Sequence, residues 1–263
     1  MSEKGTAVIT GASSGIGAQY ANRLAERGYD VLLVARRKDR LELQADQLKA
    51  SHDVGVETLA LDLANPDDLR KLERRLRDQP AAFLVNNAGA GGLGPTAQTG
   101  ADAQENLIAL NVVALVRLSV AALAGFATNG VGTLVNISSV VAFAPSANGA
   151  TYSGSKAFVL NFTRSLQAEY EQSAIRIQAV LPGPIKTEFF TSQGMTDAVF
   201  PETSYITAEA LVDAALNGLD RNERVTVPTL GKATQWDEME TLRGQFLGSV
   251  ISGKVADRYL SDG

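Results

Sequence analysis

Cysteine is absent from the 263 residues. Its absence excludes disulfides, thiolate metal ligands and a cysteine nucleophile, and it suits a reducing compartment. Histidine occurs once, as His52 between Ser51 and Asp53, where a solvated polar loop is the expected setting. No His and acid cluster has metal-ligand spacing, so no metal is expected. Excess positive charge is missing too. Lys and Arg number 24 against 29 Asp and Glu, a net charge of −5. Binding to nucleic acid rests on an electrostatic backbone term, so nucleic acid is not an expected partner. The opening Met1-Ser2-Glu3-Lys4-Gly5 lacks the basic stretch and apolar run of a secretory signal. Residues 107–127 are apolar enough to test as a membrane span, yet they hold Asn111, Arg117 and Ser119. A mid-membrane arginine costs about 2.5–3.5 kcal/mol, so a core or interface helix is expected, with no membrane partner. A cytoplasmic globular protein is the reading these absences leave.

What is present is a regular alternation of apolar runs and helical patterns. Strands are predicted at 6–10, 31–35, 56–61, 83–85, 133–137, 175–181 and 224–227. Helices are predicted at 16–27, 39–49, 104–126, 152–170 and 207–219. A further helix opens at Asn65-Pro66-Asp67-Asp68, which supplies a cap, a first-turn proline and acids at the positive dipole end. Short apolar strands separated by helices imply a parallel sheet covered on both faces. Right-handed crossovers make it a doubly wound α/β sheet of about seven strands, a three-layer αβα Rossmann fold. A single domain over 1–263 is expected, because no repeat, linker or low-complexity tract interrupts it. Trp236, Met239, Leu242, Phe246 and Val250 recur at helical intervals, which predicts a docked amphipathic helical extension near 232–260.

Ligands in such sheets bind beyond the carboxyl ends of the strands. After the first strand comes Gly11-Ala12-Ser13-Ser14-Gly15-Ile16-Gly17. Glycines at a strand-to-helix turn let the backbone approach a pyrophosphate, which the helix N-terminus then stabilises. The second strand ends in Arg36 and Arg37, with no acid until Asp39. A carboxylate there would bond the 2′-hydroxyl of NAD, whereas arginine suits the 2′-phosphate of NADP. Asp62 and Leu63 after the third strand, and Asn87, Ala88 and Gly89 after the fourth, are candidates for the adenosine side. Tyr152 and Lys156 stand at i and i+4 on one helix face. A nearby ammonium favours the phenolate, so the pair suits acid/base work on a carbinol proton. Ser138 and Ser139 end the fifth strand, Asn111 is the one amide in the apolar run 107–127, and Pro182-Gly183-Pro184-Ile185-Lys186-Thr187 follows the sixth strand.

The ordered set TGASSGIG, LDL, NNAG, LNV, NISSV, YSGSK and PGPIKT resembles the short-chain dehydrogenase/reductase family, strongly over residues 4–190. The resemblance implies an NADP(H)-dependent oxidoreductase that moves hydride between the cofactor and a carbonyl or secondary alcohol. It implies a catalytic tetrad of Asn111, Ser139, Tyr152 and Lys156. The family's serine lies thirteen positions before its tyrosine, which selects Ser139 over Ser138. In the implied mechanism Ser139 holds the substrate oxygen and Tyr152 gives the proton. Lys156 bonds the nicotinamide ribose and lowers the tyrosine pKa, and Asn111 holds a water behind Lys156. Ile185 and Thr187 resemble residues that contact the carboxamide. The alternatives are an enzyme of other chemistry on this fold, such as an epimerase or dehydratase, and a regulatory protein that binds cofactor without catalysis. The region near 188–206, with Phe189, Phe190, Met195, Val199, Phe200 and Tyr205, corresponds to the family's substrate lid, and its apolar content suggests an apolar substrate. The apolar helix around 107–126 is expected to pair subunits in a homodimer or homotetramer. The tail after Val227 departs from the family's usual ending.

Overall fold

The computed structural model of the chain describes residues 2–92, 94–188, 200–251 and 253–260. These fall into two compact units, Met1–Pro228 and Thr229–Gly263, where the sequence suggests one domain with an extension.

The first unit is built on a seven-stranded parallel sheet. Its strands are β1 (Thr6–Thr10), β2 (Asp30–Ala35), β3 (Val56–Ala60), β4 (Phe83–Asn86), β5 (Val131–Ile137), β6 (Ala174–Val180) and β9 (Val225–Thr226). They lie in the order β3-β2-β1-β4-β5-β6-β9. The chain reverses its winding at β1, where Thr10 pairs with Val34 on one side and Ile9 with Val85 on the other. That reversal opens the crevice in which ligands of doubly wound sheets bind. The seven strands and their spacing are those expected. A two-stranded ribbon, β7 (Ile185–Lys186) with β8 (Ile206–Thr207), adds to them.

Alternation along β1 shows why both faces need cover. Ala7 and Ile9 enter one core cluster with Tyr20, Leu24 and Leu216, and Val8 enters the other with Leu72, Leu118 and Phe126. Successive strand residues point to opposite faces, and each fully buried Leu or Phe contributes about 1.5–3 kcal/mol. Helices α1 (Gly15–Glu26), α2 (Lys38–Ser51) and α7 (Ala208–Asp220) cover the first face. Helices α3 (Pro66–Asp78), α5 (Leu115–Asn129) and α6 (Ala150–Glu169) cover the second. Asn65 caps α3 by accepting from the N–H groups of Asp67 at 2.8 Å and Asp68 at 3.3 Å. His52 ends α2, half-buried and 3.2 Å from the Asn22 amide oxygen rather than in a free loop.

The long apolar helix is not uniform. It runs as α4 (Ala101–Ile108), a π turn over Ala109–Ala114, and then α5. Arg117 forms a two-point ion pair with the buried Glu73 of α3, one contact at 2.7 Å. Half of its most apolar stretch is buried, while Ile108, Val113 and Val120 stay exposed.

The second unit carries α8 (Thr234–Val250), the helix that the apolar periodicity indicates. None of its residues is buried, and Leu242 and Phe246 are 65% and 68% exposed.

Candidate active site

The glycine-rich turn follows β1. Gly11 and Gly15 adopt φ of +66° and +55°, a region that strains any residue with a Cβ. Ser14 precedes α1 in extended geometry, with no side-chain cap and no acid in the first turn. The first N–H groups of α1 are thus left for an external anion. Ser13, Ser14 and Ile16 line the cleft above this turn. Gly17 does not. A Cβ there would stand 2.3 Å from the Gly11 carbonyl and 2.6 Å from the Asn87 amide nitrogen, so Gly17 serves the packing of helix on strand beneath the cleft.

Thr10 organises the neighbouring loop, a role the sequence does not announce. Its hydroxyl donates to the Val85 carbonyl at 3.2 Å and accepts the N–H groups of Asn87 and Ala88 at 3.0 Å each. The Asn87 amide donates back to the Thr10 carbonyl at 2.9 Å. Ala88 and Gly89 are thereby held against the cleft.

Arg36, Arg37, Asp62 and Leu63 line the opposite end. Arg37 precedes α2 and donates to the hydroxyls of Ser14 at 2.9 Å and Ser13 at 3.2 Å. Among the described residues no hydrogen bond or ion pair is formed by the Arg36 side chain, which is exposed. Asp62 accepts from the Ala64 N–H at 3.0 Å within its own turn. No acid ends β2.

At the carboxyl ends of β5 and β6 the reactive side chains meet. The Ser138 hydroxyl is turned away, donating to the Lys156 carbonyl at 2.7 Å. Ser139 is hydrogen-bonded to Tyr152 and also donates to the Pro182 carbonyl at 3.3 Å. Desolvation by burial pushes the Tyr152 hydroxyl up to about 12, a rise the Ser139 bond opposes. Burial pushes Lys156 down to about 8. Its Nζ donates to the Ile137 carbonyl at 3.0 Å and stands 5.9 Å from the Tyr152 ring centre. The expected lowering of the tyrosine pKa is therefore reversed in this arrangement. Withdrawal from water disfavours the phenolate, and the ammonium is engaged elsewhere.

Asn111 lies within the π turn, buried. Its amide makes three bonds: it accepts the Ala90 N–H at 2.8 Å, and donates to the Ala90 carbonyl at 2.8 Å and to Ser155 at 3.1 Å. It stands behind Gly89 rather than in the wall of the cleft. A Cβ on Gly89 would come within 3.3 Å of the Asn111 oxygen and 3.7 Å of Lys156 Nζ. Ser155, absent from the sequence-based set, joins Asn111 to the Tyr152 carbonyl at 2.7 Å.

Pro182, Gly183, Ile185 and Thr187 close the near wall. Thr187 packs over the glycine-rich turn, where a Cβ on Gly15 would meet its methyl at 3.2 Å. The whole cleft has a volume of about 700 Å³. Of the expected lid, Phe189, Phe190, Met195 and Val199 lie outside the described residues. Phe200 lines the cleft and stacks edge-on to Tyr205 at 6.2 Å.

A dinucleotide fits this cleft. The glycine-rich cradle admits no side chain at Gly11 or Gly17, a helix offers unpaired N–H groups, and guanidinium groups stand at the ribose end. At the other end a protonated phenol and a hydroxyl stand together, ready to hold and protonate an oxygen. Fold and site together define a nicotinamide-dependent oxidoreductase acting on carbonyl and alcohol groups. The profile of the short chain dehydrogenases matches residues 5–198, and the chain belongs to that family.

Among solved structures, a short-chain dehydrogenase from Sphingobium yanoikuyae in complex with NADPH is 44% identical, with a TM-score of 0.92 over 97% of this chain and 99% of that one. A bulky-bulky ketone specific alcohol dehydrogenase from Comamonas testosteroni is 40% identical, with a TM-score of 0.88 over 97% and 98%. A very-long-chain 3-oxoacyl-CoA reductase from Danio rerio is 34% identical over 80% of this chain, and the match spans 66% of that protein's length.

Proposed function

We propose that the protein is an NADP(H)-dependent reductase of ketones with apolar groups on both sides of the carbonyl. The observation that carries this is the placement of Ser139 and Tyr152 in one cleft with Leu110, Val140, Val141 and Phe200. Apolar walls near the reacting oxygen favour apolar substituents. The likeness to the Comamonas testosteroni enzyme, named for bulky-bulky ketones, supports the same reading. The arginines at the end of β2, with no acid beside them, support NADP(H) over NAD(H).

When bound, the nicotinamide supplies or takes the hydride at the carbonyl carbon. The chain's own residues handle the oxygen. The Ser139 hydroxyl donates to it and fixes it beside Tyr152. The Tyr152 hydroxyl, protonated at neutral pH, donates its proton as negative charge develops on that oxygen. Lys156 would hold the nicotinamide ribose by its ammonium. Asn111 and Ser155 hold the backbone on which Gly89 and Tyr152 are mounted.

NADPH consumption across a panel of ketones tests the reading. Diaryl and long-chain alkyl aryl ketones should turn over with higher kcat/KM than acetone or a sugar ketose. A preference for the small or polar ketones would reject it. A faster reaction with a long-chain 3-oxoacyl-CoA would move the substrate toward the relative from Danio rerio.

Subunit pairing is part of the same proposal. The exposed Ile108, Val113, Val120 and Phe158 on α4, the π turn, α5 and α6 are a surface that a second copy would cover. Light scattering at micromolar concentration should give at least twice the chain mass of 27.7 kDa. We place the enzyme in the cytoplasm, which cell fractionation tests.

A further inference from the structure

Arg37 and Arg40 are already partnered by a carboxylate from a distant part of the chain. Glu188, which follows Thr187 beyond β7, accepts from Arg40 at 2.7 and 2.9 Å and from Arg37 at 3.1 Å. Both arginines hold the carboxyl below its ordinary range. The same Arg37 reaches Ser13 and Ser14 of the glycine-rich turn, and Glu188 lines the cleft with Arg36 and Arg37. An anion of the protein thus sits among the cations that a 2′-phosphate requires. Two anions on one pair of guanidinium groups repel one another, and a dianionic phosphate has the stronger claim. Arg36 carries no such partner among the described residues.

We propose that Glu188 is an internal competitor for the 2′-phosphate site and sets how strongly the enzyme selects NADP(H) over NAD(H). Arg36 receives the phosphate at no cost, whereas Arg37 and Arg40 must first be released from Glu188. The competition lowers the affinity for NADP(H) and leaves NAD(H) nearly untouched. It also joins the adenosine end to the nicotinamide end, since Glu188 adjoins Thr187, which packs over Gly15. The inference rests on the NADP(H) reading given above.

The test uses adenosine 2′,5′-bisphosphate and 5′-AMP, fragments with and without the deciding phosphate, bound to the full-length protein and followed by calorimetry. Glu188→Gln keeps the shape and removes the charge. It should tighten the bisphosphate about three- to tenfold, the scale of one or two exposed ion pairs, and leave 5′-AMP within about twofold. Glu209→Gln is the control, because Glu209 pairs with Arg23 on α1 and removes the same net charge away from the cleft. That variant should match the wild type. If Glu188→Gln weakens the bisphosphate or leaves it unchanged, the carboxylate orients the arginines or is silent, and competition is rejected. Equal tightening by Glu209→Gln would reject it as well, leaving only a net-charge effect. A wild type that does not prefer the bisphosphate to 5′-AMP would overturn both the competition and the NADP(H) reading. A preference that Glu188→Gln leaves unaltered would overturn the competition alone.

Discussion

The hydroxyl of Ser138 is bonded to the carbonyl of Lys156 at 2.7 Å, which leaves Ser139 as the serine that faces Tyr152. Two adjacent hydroxyls at the end of one strand point to opposite sides, as strand geometry requires. Ser139→Ala should lower kcat by about a hundredfold, the scale of one donor lost from a reacting oxygen. Ser138→Ala should leave kcat within a few fold and cost about 1 kcal/mol of stability for a lost buried hydrogen bond. Steady-state kinetics and thermal melts on the two variants separate these outcomes, and the reverse order of kcat would reassign the role.

Tyr152 should act as the acid. Tyr152→Phe keeps the ring and its packing, so NADPH binding should persist while turnover falls by at least about a hundredfold. The direction of its pKa adds a pH signature. With the hydroxyl near 12, the protonated form required for ketone reduction is complete at neutral pH. Reduction should therefore be governed by other groups between pH 6 and 9. Alcohol oxidation needs the proton removed and should keep rising with pH over that range. An oxidation rate that peaks in mild acid would contradict the assignment.

Lys156 should destabilise the protein that it serves. Its folded pKa is about 8, below the ordinary lysine value, so the unfolded chain binds this proton more readily. Stability then rises with pH through the interval between the two values, and the burial penalty is fully felt below about 8. Lys156→Met removes the penalty. At pH 7 the variant should gain about 1–3 kcal/mol and melt about 2–4 °C higher for each kcal/mol gained, while turnover is lost. The gain should fade toward pH 10.5. Equal or lower melting at pH 7 would show that the bond to Ile137 outweighs desolvation.

Arg36 should decide the cofactor. It lines the cleft at the end of β2 and has no ion-pair partner among the described residues. Arg36→Ala should weaken NADPH about tenfold or more, the loss of one charge-assisted bond, and change NADH by less than about twofold. Fluorescence titration of both cofactors is sufficient. Equal affinity of the wild type for the two would refute the assignment.

The strands were legible because most are short apolar runs between turn residues, and the glycine-rich turn because spacing and place agree. Tyr152 and Lys156 were legible as a helical i, i+4 pair, but not the state of their protons. That state depends on what surrounds each group, and the surroundings come from β5 and β6. Thr10 escaped notice because threonine is ordinary in a strand, and its three bonds form only when β4 arrives alongside. Glu188 lies 148 residues beyond Arg40, too far for any local pattern to join them. The π turn was hidden for a related reason. Its residues, ALNVVA, are apolar apart from Asn111 and include no glycine or proline to mark a break.

That turn has a consequence for how the long helix can change. A π turn holds one residue more than an α turn would, and one residue is about 100° of rotation. The faces of α4 and α5 are thus out of phase with each other. Losing one residue between Ala109 and Ala114 would leave an unbroken α-helix, but every side chain from Leu115 to Asn129 would swing round. Leu118 and Phe126 would leave the core, and Asn111 would lose Ala90. The same six residues therefore fix both the buried face of α5 and the place of the amide, so natural insertions and deletions should be excluded from them while substitutions are tolerated at exposed positions such as Val113.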